Sequence, residues 1–311
     1  MSYRLEAEES LPEGIRRIAT EQLDKAAEQL RDGKDRDEAV HEARKHFKKI
    51  RAVLRLVRDE IGEDVYKPEN VCYRDAGRRL APIRDSFVKV ETLDMVTAHF
   101  SETLAPDAFT ALRQTLVQQH DEIKLLLNEE QAADKVLTTL NESRGRIADW
   151  PITHEGVKVF RKGLRRVYKR GQNRLADAQA EPDVDVLHEW RKRVKYLWYH
   201  MRILEPIWSE ILNPLADVIH DLSDYLGDYH DLAVLRQTLV DDPNICLDDQ
   251  TTQHLIGLIE RYQAELQAAA WWPGEHIYVE PREAFVDRIS AYWKAWQREQ
   301  ARKIDCLPET V

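Results

Sequence analysis

The chain has 311 residues, 43% of them hydrophobic and 33% charged, with a formal net charge of −10; this is enough apolar content for a sizeable core, excludes wholesale disorder, and makes two domains or two copies of one unit the leading expectation. Three cysteines, Cys72, Cys246 and Cys306, lack metal-like pairing and cannot all pair with one another, so neither a disulfide framework nor a cysteine-based zinc site is expected. No apolar run follows Arg4 near the N-terminus and no uncharged stretch approaches the roughly 18 residues of a membrane span, so the expectation is a cytoplasmic protein with no membrane partner.

Apolar residues recur at three- and four-residue intervals from the first segment to the last, without sustained strand alternation, and the chain is predicted to be all-α. Pro12, Pro68, Pro106, Pro151, Pro182, Pro206, Pro214, Pro243 and Pro281 punctuate segments of helical length, as expected of a residue tolerated in first turns and excluded from helix interiors. Pro82 lies inside a periodic stretch and is expected to kink or end a helix there. The run Ala148-Asp149-Trp150-Pro151 separates the halves and is too short for a flexible linker. A packed junction is expected, with units at 1–148 and 149–311.

An internal repeat with an offset near 147 organises these segments. Gly14-Ile15-Arg16-Arg17-Ile18 resembles Gly163-Leu164-Arg165-Arg166-Val167. His41-Glu42-Ala43-Arg44-Lys45-His46-Phe47-Lys48 lies over His188-Glu189-Trp190-Arg191-Lys192-Arg193-Val194-Lys195. Leu80-Ala81-Pro82-Ile83-Arg84-Asp85 lies over Leu226-Gly227-Asp228-Tyr229-His230-Asp231. Three landmarks in one order predict two tandem helical-bundle repeats, able to pack about a pseudo-twofold axis.

The acidic average conceals a sorted distribution. Residues 36–58, 74–84, 158–174 and 188–202 hold 25 Lys and Arg against 5 Asp and Glu, and the rest of the chain holds 21 against 51. At about 100° per residue, His41, Arg44, Lys45, Lys48 and Arg55 share one helix face with Arg51 at its margin, and Ala43, Ile50, Leu54 and Val57 face the other way. His188, Arg191, Lys192, Lys195, Tyr199 and Arg202 repeat the stripe, opposite Trp190, Leu197, Met201 and Leu204. Lys158, Arg161, Lys162, Arg165 and Lys169 form a third, backed by Phe160, Leu164 and Val167.

Like charges at i,i+4 are destabilising by a few tenths of a kcal/mol per pair unless something anionic offsets them. A solvated face, or pairing with acidic helices of the same chain, is the plain alternative to a ligand, but it does not require an imidazole at the same point of both stripes. His41-Glu42 and His188-Glu189 begin like a metalloprotease motif, yet the position of the second ligand holds Lys45 or Lys192, so no metal is expected. Phosphohistidine chemistry lacks a Gly-rich phosphate loop to supply the phosphoryl group, and a histidine donating to phosphate oxygens is the simpler reading. His46, His99, His120 and His154 have no repeat partner, and packing or surface roles suffice for them.

At these residues the sequence resembles the CHAD family, the conserved histidine α-helical domains, over nearly its whole length. The resemblance rests on the duplicated His-x-x-Arg-Lys-x-x-Lys at 41–48 and 188–195, the Gly-Leu-Arg-Arg at 163–166 and the Leu-Gly-x-x-x-Asp at 226–231. It implies two helical-bundle repeats around a basic central cavity or pore that binds inorganic polyphosphate without catalysis or cofactor. It also implies an association with polyphosphate granules, where polyphosphate-metabolising enzymes would be neighbours. The binding set implied is Arg17, the stripes of 41–55 and 188–202, Arg84, Lys158, Arg161, Lys162, Arg165, Arg166 and Lys169. Thr20 and Glu21 stand opposite Lys169 and Arg170, so the cavity is expected to be lopsided.

Polyphosphate offers no base or sugar to read, and a stripe of forked Arg and mobile Lys donors can hold successive phosphates without a fixed register. An RNA or DNA binder would use the same phosphate contacts but should interleave aromatics for stacking, and Tyr199 is the only aromatic placed on a basic stripe. A phosphohydrolase or polyphosphate kinase should bring carboxylates for Mg²⁺, and the stripes hold few. An acidic-tail scaffold is a third alternative. Asp85 and Asp231 are expected to serve as structural pairings or helix caps.

Overall fold

The computed structural model describes every residue except 1–2, 106, 128, 243–244, 246–247 and 306–311; Pro106, Pro243, Cys246 and Cys306 therefore lie outside the described residues. Among those described there are twelve α-helices and no strand, and no helix is long and apolar enough to cross a membrane. Helix α1 (Leu11–Asp32) begins at a capping box in which the Ser10 side chain accepts from the Glu13 amide while Glu13 reaches back to Ser10, with Pro12 in the first turn. Asp35 caps α2 (Arg36–Leu56), and Asp183 caps its counterpart α9 (Val184–Leu204). The single turn α3 (Arg58–Ile61) leads into α4 (Glu63–Arg79), α5 (Ala81–His99), α6 (Thr110–Leu126) and α7 (Glu129–Ala148). The remaining helices are α8 (Val157–Ala180), α10 (Ser209–Asp241), α11 (Asp249–Ile277) and α12 (Arg282–Asp305).

Pro82 acts as expected. It has no N–H to donate to the Arg78 carbonyl four residues back, so α4 does not run on; the chain breaks at Leu80 and Pro82 sits in the first turn of α5. The expectation for Pro68 and Pro214 is corrected: each is the sixth residue of its helix, in α4 and α10. The only ladder bond lost at a sixth position is to the carbonyl of the second residue, close to the solvated helix start, so the second turn tolerates it. Pro273 lies well inside α11.

The predicted core faces are buried. Ala43, Ile50, Leu54 and Val57 of the α2 segment, and Trp190, Leu197, Met201 and Leu204 of α9, are fully covered. Helix α1 packs on α2 as α8 packs on α9; α2 meets α4 and α5 as α9 meets α10; α5 lies on α6 as α10 lies on α11; α7 lies on α1 as α12 lies on α8. Five helix pairs join the halves among the described residues: α5 with α10, α5 with α11, α2 with α9, α3 with α8, and α2 with α8. At the last, Gly163 lets the α8 backbone rest on the Arg55 and Leu56 carbonyls at the end of α2. A Cβ would overlap them. Trp150, between the halves, is 1% exposed, and Arg16 donates to its carbonyl at 2.8 Å.

Candidate functional site

The two histidine stripes face one another. From α2, Lys48 keeps its side chain open to solvent, while desolvation by the protein around it first, and then the charges of Arg44, Arg191 and Lys195 with Asp231 opposing them, push its ammonium down to about 7. His41 is held near 4 by burial and by Arg84 and Lys45. His188 is also held near 4, by burial, His230, Lys192 and Arg191. These mutual influences bring His41, Arg44, Lys45 and Lys48 together with His188, Arg191, Lys192 and Lys195, with Arg84 supplied by α5. Both imidazoles are neutral at pH 7, so they are hydrogen-bonding groups there rather than charges.

Local acids offset part of this cluster. Glu42 accepts from Lys45 at 2.5 Å and Glu189 from Lys192 at 2.5 Å, the same i,i+3 pair in both helices. Lys195 pairs with Asp224 at 3.6 Å and lies 4.2 Å above the Trp198 ring. Arg44 pairs with Asp85 at 3.6 Å and donates to the Gly77 carbonyl, one of the last four of α4 and so without a helical partner. Lys48 and Arg191 have neither ion pair nor hydrogen bond among the described residues. They are the cations an external anion meets without displacing a carboxylate.

The α10 face was largely missed in the sequence. Asp224, Asp228 and Asp231 line it at helical spacing, and His230 stacks on His188 with ring centroids 3.8 Å apart. Burial, Asp231 and Asp224 push the Asp228 carboxyl up to about 6. Burial also raises Asp231, against the pull of Arg191, Arg84 and Lys48. The Nδ1 atoms of His188 and His230 are buried without a partner. Acids at a four-three interval on a helix that also carries Gly227 were the available signal. Asp85 pairs with Arg44, as expected of a structural pairing; Asp231 has neither ion pair nor hydrogen bond among the described residues.

Several predicted residues lie elsewhere. Tyr199 is corrected: it is 2% exposed and packed edge-on against Tyr3, whose hydroxyl donates to the Lys49 carbonyl, so the N-terminal segment removes it from any open stripe. Arg17 is clasped by Glu9, Glu21 and Glu6 at 2.6, 3.2 and 3.4 Å. Arg202 pairs with Glu205, which also holds Arg4, both at 3.1 Å. Arg51 and Arg55 turn toward Asn70 and Tyr196; the Arg55 guanidinium lies 4.1 Å from the Tyr196 centroid. Arg58 does the same over Tyr66 at 4.4 Å. Basic groups and aromatics therefore do meet, at positions the stripe count left out.

The basic face of α8 forms a separate groove of about 710 Å³ lined by Asp59, Lys162, Arg165, Arg166, Lys169, Arg170 and Asn173. An adjoining hollow of about 660 Å³ shares Arg170 and Asn173 and adds Arg174 and Arg193. Arg161 is held by Asp287, Arg165 by Glu283 and Arg166 by Asp59. Lys158, Lys162, Lys169 and Arg170 have no ion pair among the described residues. Burial and the charges of Arg193, Arg166 and Arg58 push the Arg170 guanidinium down. That is the signature of crowded like charge.

A family model for the CHAD domain matches residues 15–240. The chain belongs to the CHAD domain family. The fold agrees: the crystal structure of the CHAD domain from the plant Ricinus communis superposes with a TM-score of 0.64 at 18% identity, covering 89% of this chain and 95% of that one. A search of curated proteins found no match. The matched span contains both histidine stripes, the α8 groove and most of α10, so the whole cation cluster lies within the CHAD region.

Proposed function

We propose that this CHAD protein binds inorganic polyphosphate non-enzymatically, through the cluster where the His41–Lys48 and His188–Lys195 stripes meet, with the α8 groove extending the path. The observation that carries this reading is the meeting of two equivalent cationic stripes from α2 and α9, with Lys48 and Arg191 left unpaired at the centre. The recurring helix pairings support two tandem repeats about a pseudo-twofold axis with a basic cavity between them. The aromatics that meet these cations, Tyr66, Tyr196 and Trp198, already carry Arg58, Arg55 and Lys195 on their faces, which favours a chain of phosphates over stacked bases. The acidic remainder of the surface disfavours coating by duplex DNA. Residence on polyphosphate granules, beside polyphosphate-metabolising enzymes, would follow from the same ligand.

One titration decides between ligand classes. Long-chain polyphosphate is expected to bind at physiological salt far more tightly than single-stranded RNA or duplex DNA, and equal binding of all three would overturn selectivity. RNA binding lost on Tyr196→Ala would instead favour a nucleic-acid role for the Arg55–Tyr196 stack. Lys45→Glu with Lys192→Glu should abolish most polyphosphate binding, whereas Lys67→Glu with Lys135→Glu should not. By analogy with nucleic acids, about eight engaged phosphates give a log–log salt slope near −6. Mg²⁺-dependent phosphate release, removed by Asp85→Asn or Asp231→Asn, would overturn the non-enzymatic reading.

A further inference from the structure

Arg191 is the residue whose charge reaches furthest through the cluster. It acts on Lys48 and Lys195, on His188, and on Asp224, Asp228, His230 and Asp231 along α10. A guanidinium in that place would normally be fixed by a carboxylate or a carbonyl. Arg191 has neither among the described residues.

Its seat is the backbone of α10. A Cβ built on Gly227 would stand 2.8 Å from Nη2 of Arg191 and 3.1 Å from both Cζ and Nε. Contact with three atoms of one guanidinium means that the head group rests against the helix where the side chain is missing. The equivalent arginine is held differently. Arg44 donates to the Gly77 carbonyl freed by the α4–α5 break and pairs with Asp85, and the residue aligned with Gly227 is Ala81. The unbroken α10 offers no free carbonyl there. A gap in the side chains does for Arg191 what a gap in the helix does for Arg44.

Helix propensity gives no reason for the glycine. In a helix interior it is less favourable than alanine, and Gly227 sits in the middle of a 33-residue helix. Its φ is not in the left-handed region, which among the described glycines holds Gly62 and Gly156.

We propose that Gly227 is a positioning residue of the anion site: its missing side chain lets the Arg191 guanidinium lie flat on α10 at the centre of the cluster, unpaired and facing the ligand. The proposal rests on the polyphosphate reading above. A Cβ at 227 meets the far end of a flexible side chain, so the fold accommodates it and Arg191 moves.

Four variants of the full chain test this, each titrated with long-chain polyphosphate and denatured with urea: Gly227→Ala, Gly257→Ala, Arg191→Ala and the Arg191→Ala/Gly227→Ala double. Gly257 is the control, a helical glycine of α11 with nothing within 4 Å of its Cβ position. Both single glycine variants are expected to raise the denaturation midpoint. Only Gly227→Ala is expected to weaken binding, about three- to tenfold, as misplacing one charge-assisted donor does. In the Arg191→Ala background, Gly227→Ala should change affinity less than about twofold. Wild-type affinity in Gly227→Ala, with binding weakened in Arg191→Ala, overturns the positioning role and leaves the polyphosphate reading standing. An equal loss in both backgrounds also overturns it, since the effect then bypasses Arg191. Wild-type affinity in Arg191→Ala removes the functional reading and the inference together. If Gly227→Ala lowers helicity, Arg191→Lys replaces it as the probe: its head has no plane to rest on Gly227, so it should weaken binding, and unchanged affinity would overturn the proposal.

Discussion

Helices α1 and α8 carry nearly the same five residues, Gly14-Ile15-Arg16-Arg17-Ile18 and Gly163-Leu164-Arg165-Arg166-Val167, in opposite electrostatic surroundings. Around Arg17 stand Glu6, Glu9 and Glu21, two of them brought by the segment that precedes the helix. Around Arg166 stand Asp59 alone and the unpaired Lys162, Lys169 and Arg170. The glycines differ as well: Gly14 faces the side chains of Glu9 and Leu5, and Gly163 faces the carbonyls of α2. A repeated motif marks equivalent positions in a duplicated fold; what each position can do depends on the segments packed over it. Leu5, hydrogen-bonded from its amide to the Ile203 carbonyl at 3.1 Å, occupies on the α1 side the place where α8 touches α2 directly.

The sharpest way to break that contrast is at the glycines. Gly163→Ala forces a methyl group into the Leu56 carbonyl, where both partners are backbone, and is expected to lose more than about 3 kcal/mol or fail to fold. Gly14→Ala presses on movable side chains, the nearest Glu9 Oε1 at 2.5 Å, and should lose about 1 kcal/mol. Urea denaturation of the two variants compares them directly, and equal losses would mean that the two helices are seated alike.

Charge supplies the next test. Lys162→Ala with Lys169→Ala removes two unpaired cations of the α8 groove and is expected to weaken polyphosphate binding about tenfold. Arg17→Ala should leave affinity within about twofold, because its three carboxylates already occupy it. Comparable losses from the two sides would show that the acidic segment over α1 yields to the ligand.

Much of this was legible in the sequence. The helical class, the buried faces of α2, α8 and α9, the break at Pro82 and the family all follow from periodicity and the duplicated motif, which are local patterns. The neutralisation of Arg17, Arg202 and Arg161 was not, since it depends on how segments come together: Glu9, Glu205 and Asp287 declare nothing about their partners until the helices pack. Tyr199 fell on the polar stripe by its angle and in the core by its neighbours. Position on one helix cannot foresee Tyr3 covering it.

Proton linkage separates the centre of the cluster from its rim. Lys48 has a free-state pKa of about 7, and a bound polyanion stabilises its charged form and raises that value. Affinity should therefore be flat below pH 7 and fall as pH rises from 7 toward the bound value, about three- to tenfold by pH 9, since a pKa that rises by one on binding corresponds to a tenfold gain in affinity for the charged form. Lys48→Arg, charged throughout, should bind well at pH 9 and flatten the curve. A wild-type profile in Lys48→Arg would place the titrating group elsewhere.

The smallest effect belongs to the histidines, and its sign matters more than its size. From the ordinary value of about 6.5, a contact with phosphate would predict proton uptake between pH 8 and 6. Burial and the surrounding cations hold His41 and His188 near 4 instead. A bound polyanion raises both values from there, so uptake is confined to the window between about 4 and the bound pKa, and affinity gains from these groups only as pH falls below about 6. His41→Gln with His188→Gln should accordingly leave the pH profile between 6 and 9 unchanged, with any difference from wild type appearing in acid. The same depression acts on the fold without ligand. An imidazole lowered in the native state adds stability above its unfolded value of about 6.5 and loses it as pH falls toward 4, so the double variant should denature less readily than wild type near pH 5 and alike at pH 8. A flattened affinity profile between pH 8 and 6 in this variant would mean that both imidazoles titrate near their ordinary value, in a cluster open to water rather than closed by α5 and α10.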